Sequence, residues 1–484
     1  MNKLVAALER EQHIVYTENG ARAYDSTGSK VYDLFSMGGA LRNAPEARIV
    51  RMVKEAFEEA PNLALKCIFY LRDIRGGQGE RRFFRIALSA LARLYNDTKH
   101  RDAFTTLLYY IPEYGRWDDL YAFVGTPLED KAFRFMYQQL TVDLYSDNPS
   151  LLAKWLKSEN ASSKKSRELA KLTMRYFNIP PKTYRLILSD IRKRINILER
   201  QMSEGKWSEI DYSKIPSLAG VKYSRAFVRN DGARYRTFMD DKKNKVNAGA
   251  PYPYDVVHYA LKKCDGKTTA NKYWDNLTNY FKDKTFNGIA VVDTSASMGG
   301  RPIEVALSLG YYCAERAKGP FHNRMITFSR RPKYINFKDY GDNFFDVVRE
   351  IFRLNICEDT NLEGTFDLIF NTAKNYNLAQ EDLPEYIVVI SDMEFNMGVA
   401  GNRGPDTLME SIRAKWTKAG YKMPKLVYWN VNSHQENIPE LNQEVSLISG
   451  FSPVGYDMIL SGKTGIDLMF DKLLSERYTP ITLV

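Results

Sequence analysis

The chain has 484 residues, of which 44% are hydrophobic and 26% charged, as in an ordinary folded protein of about two to four domains. No apolar run reaches the roughly 18 residues that cross a bilayer, so we expect no membrane association. Charges interrupt the N-terminal stretch, which would have to be apolar in a signal peptide. We therefore expect a cytoplasmic protein, or a nuclear one in a eukaryote. Residues 151–284 carry 29 Lys and Arg against 14 Asp and Glu, and this basic stretch predicts a polyanionic partner, nucleic acid first, although a soluble lysine-rich surface has the same composition.

Helical periodicity dominates the chain up to residue 202. In residues 46–60, for example, Ile49, Val53 and Phe57 share one helical face. The predicted helices lie at 46–60, 63–75, 80–95, 101–111, 117–124, 129–145, 163–177 and 183–202. The GGQG segment at 76–79 joins two helices and follows no strand, so it predicts a helix–helix turn and not a phosphate-binding loop. Because no strict period recurs, the pattern favours an irregular, HEAT-like stack of helix pairs.

The pattern changes twice further along the chain. Residues 203–250 have weak periodicity, and we expect short helices near 224–240, 254–262 and 268–282. From residue 287, predicted strands at 287–295, 324–329, 332–336, 385–392, 425–432 and 445–451 alternate with predicted helices at 302–318, 342–353, 361–377, 405–419, 455–461 and 464–476. Such alternation predicts a doubly wound parallel sheet. We therefore expect an all-α, HEAT-like domain at 1–284, basic in 151–284, and an α/β domain at 285–484.

Oxygen-bearing side chains stand just after buried strands, or at a helix mouth, in the α/β part. They are Asp293, Ser295, Ser297, Thr360 and Asp392. Because ligands bind a doubly wound sheet at the carboxyl ends of its strands, we expect these loops to converge. Three hydroxyls and two carboxylates suit a hard divalent cation, foremost Mg²⁺, with Mn²⁺ or Ca²⁺ as the other candidates. Helix capping by the same residue types is the plainer interpretation.

The D-x-S-x-S spacing of the first three, with the distal Thr and Asp, resembles the metal-ion-dependent adhesion site of von Willebrand factor A domains. The resemblance implies that residues 285–484 fold as such a domain and that all five side chains bind its cation. A cation with few direct carboxylates would then accept an outside carboxylate, such as an acidic residue of a protein ligand. Met393 and Glu394 follow Asp392 where many such domains have Asp-Gly, so Glu394 offers a further acid nearby.

Catalysis and zinc binding are not supported by the sequence. Ser295 and Ser297 have no neighbouring His or Lys in the sequence to activate them as nucleophiles. The five histidines and four cysteines are scattered and form no HExxH motif, CxxC pair or Cys/His cluster. We therefore expect no enzymatic activity, and four reduced thiols.

Four segments of the helical part resemble the TROVE/Ro-like family, closest to the plant, bacterial and viral relatives of the Ro autoantigen. They are LRDIRGGQGERRFFR (71–85), IPEYGRWDDLY (111–121), KYSRAFVRND (222–231) and NAGAPYPYDVV (247–257). Members of that family join a helical-repeat ring to a C-terminal von Willebrand factor A domain, which is the order expected here. The resemblance implies RNA binding, with single-stranded ends passing through a basic ring and small structured RNA on its outer surface.

Basic residues between 151 and 284 are the candidates for RNA contacts, because phosphates need cations and splayed bases stack on Tyr or on Arg planes. The candidates are Lys164, Lys165, Arg167, Lys171, Arg175, Lys182, Arg185, Arg192, Lys193, Lys222, Arg225, Arg229, Arg234 and Arg236. A solvated helix face is the plainer interpretation of any one of them. A structural role, in interhelical ion pairs and packing, is expected for another set of residues, which are Arg72, Asp73, Arg75, Arg116, Trp117 and Asp118.

The sequence thus predicts an RNA-binding protein of the Ro ribonucleoprotein type, which binds single-stranded or small structured RNA through its helical part and a divalent cation through its A domain. A second hypothesis is a metal-dependent protein–protein adaptor without RNA binding. An accessory ATPase or chelatase subunit rests on A-domain analogy alone, and no Walker motif supports it. The identity of the RNA, the metal and the oligomeric state stay open.

Overall fold

The computed structural model describes residues 13–18, 20, 22–248, 252–263, 265–282, 284–328, 332–354, 361–395, 408–439 and 445–483. The chain divides into two units, each discontinuous in sequence. The sheet unit comprises residues 1–45, 216–222 and 245–475, and the helical unit comprises residues 46–215, 223–244 and 476–484. Strand–helix alternation begins near the predicted boundary at 284/285, yet residues 1–45 and 245–284 belong to the sheet unit.

Two short strands open the described part of the chain, only helices follow as far as residue 275, and strands and helices are interspersed from residue 288. The helices are α1 (Lys30–Met37), α2 (Glu46–Glu59), α3 (Pro61–Arg72), α4 (Arg81–Leu94), α5 (Thr98–Leu108), α6 (Ile111–Tyr114), α7 (Glu129–Tyr145), α8 (Leu152–Trp155), α9 (Lys164–Phe177), α10 (Pro181–Arg194), α11 (Leu198–Ser203), α12 (Ser217–Asp240), α13 (Pro253–Lys262), α14 (Lys267–Asp275), α15 (Arg301–Arg316), α16 (Phe344–Arg353), α17 (Leu362–Asn375), α18 (Leu408–Lys418), α19 (Val454–Ile459) and α20 (Gly465–Leu473). The strands are β1 (Ile14–Tyr16), β2 (Arg22–Tyr24), β3 (Gly288–Asp293), β4 (Arg324–Phe328), β5 (Lys333–Asn336), β6 (Tyr386–Ser391), β7 (Lys425–Asn430) and β8 (Ser446–Ser449).

Amphipathic helices open the helical unit, as the periodicity predicts. Ile49, Val53 and Phe57 of α2 are buried on one face. The GGQG segment joins α3 to α4 and is confirmed as a helix–helix turn. A Cβ at Gly77 would lie 1.9 Å from the carbonyl oxygen of Tyr70, so the turn closes against α3 in a space that only glycine fits.

Buried ion pairs hold α3, α4 and the 3₁₀ turn Trp117–Phe123 together. Arg72 lies 2.8 Å from Asp119, and both side chains are almost fully buried. Arg85 bridges to the same Asp119 at 2.7 Å. Asp73 accepts hydrogen bonds from Arg477 at 2.8 and 2.9 Å, which returns the end of the chain to α3. The predicted structural role of Arg72 and Asp73 is confirmed, and such pairs fix the arrangement of helices more than they add stability.

A six-stranded mixed sheet, mostly parallel, forms the centre of the sheet unit. Its order is β5-β4-β3-β6-β7-β8, in which only the edge strand β5 runs antiparallel to its neighbour. All residues of β3 are buried, as expected of an inner strand covered on both faces. The coarse prediction of a helical N-terminal part followed by an α/β part is confirmed.

Several elements depart from the predicted pattern. The antiparallel pair β1–β2 and helix α1 were not predicted, because three-residue strands carry no periodic signal. The predicted helix 183–202 divides into α10 and α11 around Asn196, whose left-handed φ of 48° ends a helix. Residues 117–123 form a 3₁₀ helix, and the helix predicted to reach 282 ends at Asp275. Among the described residues, no helix is long and apolar enough to cross a bilayer.

Candidate functional site

The candidate cation site lies where the order of the sheet reverses. Strands β3 and β6 are parallel neighbours in register, with Val292 opposite Ile390, so their carboxyl ends lie side by side. Strand β4 continues the sheet on one side and β7 on the other. In open α/β sheets this switch point is the crevice in which ligands bind. Asp293 ends β3 and Asp392 directly follows β6, so the fold places both carboxylates at this crevice.

A closed set of hydrogen bonds positions Asp293 and the two serines. Asp293 is fully buried and accepts a hydrogen bond from the backbone N–H of Ser295 at 2.9 Å and another from the Ser391 hydroxyl at 2.5 Å. The hydroxyls of Ser295 and Ser297 lie 3.1 Å apart. Ser297 is exposed, so the cluster opens to solvent at this residue. Ser391 was not among the predicted ligands, and its role is to hold Asp293.

The carboxylate of Asp392 is buried and only partly hydrogen-bonded by the described residues. Its Oδ1 accepts the backbone N–H of Glu394 at 3.2 Å, whereas its Oδ2 is buried and, within the described part of the chain, accepts no hydrogen bond. The nearest cationic candidate is the His434 ring, whose Nε2 lies 3.9 Å from Oδ2. Burial raises the pKa of Asp392, although the Ser297 hydroxyl lowers it in part, and burial followed by Asp392 raises the pKa of Asp293.

These features fit a bound cation. Two buried carboxylates that repel each other, with one oxygen unpartnered, are costly without a counter-charge. The donors that the structure brings together are two carboxylates and two hydroxyls, which is a hard oxygen set. No group of three or more His, Cys, Asp or Glu side chains suited to a metal was found among the residues described. Thr360, the fifth predicted ligand, lies outside the described residues.

Met393 stands after Asp392 where many von Willebrand factor A domains have Gly, and the backbone keeps the conformation that Gly would adopt. Met393 has a left-handed φ of 68°, the conformation that glycine adopts most easily, so the backbone there is glycine-like despite the side chain. Glu394 is buried and its two oxygens accept hydrogen bonds from the Glu18 N–H and the Asn437 amide, each at 2.8 Å. Glu394 therefore braces the loop, and its role as a further acid for the cation stays a prediction.

The N-terminal segment completes this loop, which sequence reasoning missed. The Thr17 hydroxyl donates a hydrogen bond to the backbone carbonyl of Phe395 at 2.6 Å, next to the Glu18–Glu394 bond. The partners are 378 and 376 residues apart in the chain. No local pattern could have indicated them, because each is an ordinary polar residue outside any motif.

The predicted RNA contacts differ in what their side chains already bind within the protein. Three guanidinium groups serve the protein's own backbone: Arg167 donates to the carbonyls of residues 161 and 162, Arg192 to those of 153 and 156, and Arg234 to those of 207 and 210. Arg185 pairs with Glu159. Lys164 lies 4.0 Å from Glu168 but keeps an 84% exposed side chain. Lys222 and Arg225 are exposed and have further contacts.

The remaining candidates are exposed cations without a salt bridge or side-chain hydrogen bond in the part of the chain that the structure describes. They are Lys165, Lys171, Arg175, Lys182, Lys193, Arg229 and Arg236. Most of them lie on α9 and α10, whose opposite faces bury residues such as Met174 and Leu188. This exposed set is the part of the predicted interface that is available to a polyanion.

Comparison with known proteins places the chain in a family. Residues 17–132 and 146–286, slightly more than half of the chain, match the model of a family described as Domain of unknown function (DUF2828). The chain belongs to this DUF2828 family. Residues 287–470 match a second model, described as Domain of unknown function (DUF7788). The chain is also 29% identical over 486 residues to Uncharacterized protein L728 of Acanthamoeba polyphaga mimivirus, which covers 91% of this chain and 83% of the viral protein.

The two matched regions divide the candidate sites between them. The DUF2828 region contains the ion pairs around Asp119 and all the candidate RNA contacts. The second region contains Asp293 and Asp392. The alignment with the viral relative covers 91% of this chain and therefore extends through both regions.

Proposed function

We propose that this DUF2828 protein is a cytoplasmic RNA-binding protein of the Ro type, which binds single-stranded or small structured RNA through its basic helices and a divalent cation through its α/β part. The observation that carries the proposal is a set of three exposed cations on α9, Lys165, Lys171 and Arg175, which form no salt bridge with the described residues. Lys171 and Arg175 are one helical turn apart, and Lys164, which lies 4.0 Å from Glu168, is on the same face. Unpaired cations on one helix release counterions from a phosphate backbone, which is the main source of affinity for nucleic acid.

The α/β part is proposed to be of the von Willebrand factor A type. Counted within the sheet, the strand order is 3-2-1-4-5-6, the order of a doubly wound fold, which supports this assignment. Ser295, Ser297, Asp293 and Asp392 would hold Mg²⁺ directly or through water, with Thr360 as a further ligand. When bound, the cation would offer an electropositive position to an outside carboxylate. No nucleophile with an activating base accompanies it among the described residues, so the proposal includes no catalysis.

RNA binding is tested by charge removal on α9. In the test variant Lys165, Lys171 and Arg175 become Gln. In a matched control, the exposed lysines Lys338, Lys374 and Lys418 of the sheet unit become Gln, so the change in net charge is the same. Binding of labelled RNA is measured by fluorescence anisotropy at several salt concentrations. The slope of log affinity against log salt should fall by about two in the test variant, since each phosphate contact contributes about 0.7 for a single strand.

The outcome separates RNA binding from the adaptor function. Equal slopes in the test variant, the control and the wild type would exclude the α9 surface as the RNA site. The exposed Ser297 at the mouth of the cation site favours the adaptor as the second candidate. A wild type that binds no RNA but binds an acidic peptide only when Mg²⁺ is present would establish that function.

A further inference from the structure

Two cations of the helical unit lie near the ring of Trp155, the last residue of α8, and a third lies near one of them. The Arg116 guanidinium lies 4.5 Å from the centre of the Trp155 ring, and the Lys154 ammonium lies 5.9 Å from it. Arg81, in the first turn of α4, is exposed and close enough for its charge to act on Arg116. Over the described ranges, none of the three side chains forms a salt bridge or donates a hydrogen bond. We call Arg81, Arg116, Lys154 and Trp155 the Trp155 cluster.

The acidic residues beside Arg116 in the sequence do not neutralise this cluster. Asp119 is already paired with Arg72 and Arg85. Asp118 is paired with Lys157 at 3.0 Å and shares Arg85. Three cations thus face two carboxylates in the buried network, which leaves an excess of positive charge next to the cluster.

The surroundings of Arg116 are unfavourable to its own charge. Burial, followed by the positive charges of Arg72 and Arg81, lowers the pKa of Arg116 below its ordinary value. A guanidinium group nevertheless keeps its proton in a protein. The structure therefore holds a permanent, half-buried positive charge near two further cations, a cost that Asp118 and Asp119 offset in part and that a bound anion would offset further. A phosphate fits best, because its oxygens accept two parallel hydrogen bonds from one guanidinium.

A cleft adjoins the cluster through Lys154. The cleft has a volume of about 750 Å³ and is lined in part by Leu188 and Ile197. Four basic and three acidic side chains line it, and two of the pairs, Arg185 with Glu159 and Arg200 with Glu204, are salt bridges, so one positive charge remains in excess. Pockets of about 300–1,000 Å³ with apolar walls and a few polar groups accept small, flat ligands. A nucleobase, which is uncharged and apolar on its faces, suits the cleft, while its phosphate suits the cluster.

We propose that the Trp155 cluster binds a phosphodiester of single-stranded RNA and that the adjoining base enters the cleft beside Lys154. The inference rests on the proposed RNA-binding function and adds a second contact site to it, distinct from the residues of α9. The Trp155 ring with the Arg116 guanidinium over it combines an aromatic surface with a cation, a combination on which bases stack without sequence preference. The site therefore predicts weak sequence selectivity and strong salt dependence.

The test uses the full chain and a labelled decauridylate, whose binding is measured by anisotropy over a salt series. The variants are R81Q, R116Q and K154Q, and the matched control is K131Q, which removes an exposed lysine of α7. Each cluster variant should lose severalfold in affinity, and its salt slope should fall by about 0.7, the contribution of one phosphate contact. The control should keep the slope of the wild type.

The outcomes distinguish this inference from the function on which it rests. If the wild type binds neither decauridylate nor a small structured RNA, the proposed RNA-binding function fails, and the inference fails with it. If it binds only the structured RNA, the inference alone is overturned. If the wild type binds and all cluster variants keep its affinity and slope, the inference alone is overturned. Arg81 is exposed and forms no hydrogen bond within the described chain, so R81Q gives a valid measurement even if R116Q does not fold.

Discussion

Replacing Asp392 by Asn should abolish stabilisation by Mg²⁺ without destabilising the metal-free protein. Asp392 and Asp293 are 1% and 0% exposed, and Oδ2 of Asp392 accepts no hydrogen bond among the described residues. Asparagine keeps the shape of the side chain but removes the charge that repels Asp293. Two unit charges about 4 Å apart repel by roughly 4 kcal/mol at an effective dielectric constant of about 20, which is an upper bound on the gain in stability without metal.

With Mg²⁺ bound, the wild type should be more stable than the Asp392→Asn variant. A ligand at a hundred times its dissociation constant stabilises the folded state by about 2.7 kcal/mol. For a unit of this size that corresponds to a rise in melting temperature of roughly 5–10 °C in the wild type. The Asn variant should show little of this rise, because the cation loses one of two carboxylates that neutralise it.

The assay is thermal unfolding followed by circular dichroism, with chelator or with millimolar Mg²⁺. The matched control is Asp467→Asn, which removes an exposed carboxylate of α20. The reasoning is wrong if the Asp392 variant gains as much from Mg²⁺ as the wild type does. It is equally wrong if the wild type does not respond to Mg²⁺, Mn²⁺ or Ca²⁺ at all.

Three further predictions concern the framework around the two sites. Gly77→Ala should lower the free energy of unfolding by about 3 kcal/mol in urea titrations, because its Cβ would meet a backbone carbonyl of α3, whereas Gly232→Ala should be tolerated, since the nearest atom is 3.9 Å away. Burial raises the pKa of Asp73, but Arg477 more than offsets this effect, so the pKa lies below its ordinary value. The stability that this ion pair contributes is therefore present above about pH 4 and is lost as the pH falls. Asp73→Asn should make the melting temperature less dependent on pH in that acidic range. At Met393, a change to Gly should keep the response to Mg²⁺ and a change to Val should weaken it, because a β-branched residue does not adopt a φ of 68°.

The candidate cation site was predictable from sequence because its residues obey a local rule. Asp293 and Asp392 each follow a run of buried β-branched residues, and parallel strands bring their carboxyl ends to one edge of a sheet. The braces of the site were not predictable. Thr17 and Glu18 reach the loop after Asp392 from almost the other end of the chain, by bonds that any polar residue could make.

The helical part shows the same division between local and long-range information. Helix positions follow from periodicity, which is a property of neighbouring residues. Charge composition identified the basic stretch but could not separate free cations from structural ones. Arg167, Arg192 and Arg234 look like RNA contacts in sequence, yet each is bound to backbone carbonyls of the folded chain. The cluster around Trp155 was missed for the converse reason, since Arg116 lies in a segment that was expected to serve packing alone.

Each of the two units is built from several segments of the sequence, because each includes a segment from one end of the chain. The edge strand β8 of the sheet packs against α1, and the Ser449 hydroxyl accepts a hydrogen bond from the Gly39 N–H at 2.9 Å. In the helical unit, Asp73 would be a buried carboxylate without its main partner if Arg477 were absent. Each unit therefore uses a segment from the far end of the chain to cover an edge or neutralise a charge. The change of pattern at 284/285 marks where one kind of secondary structure gives way to another, and it does not coincide with a boundary between the two units.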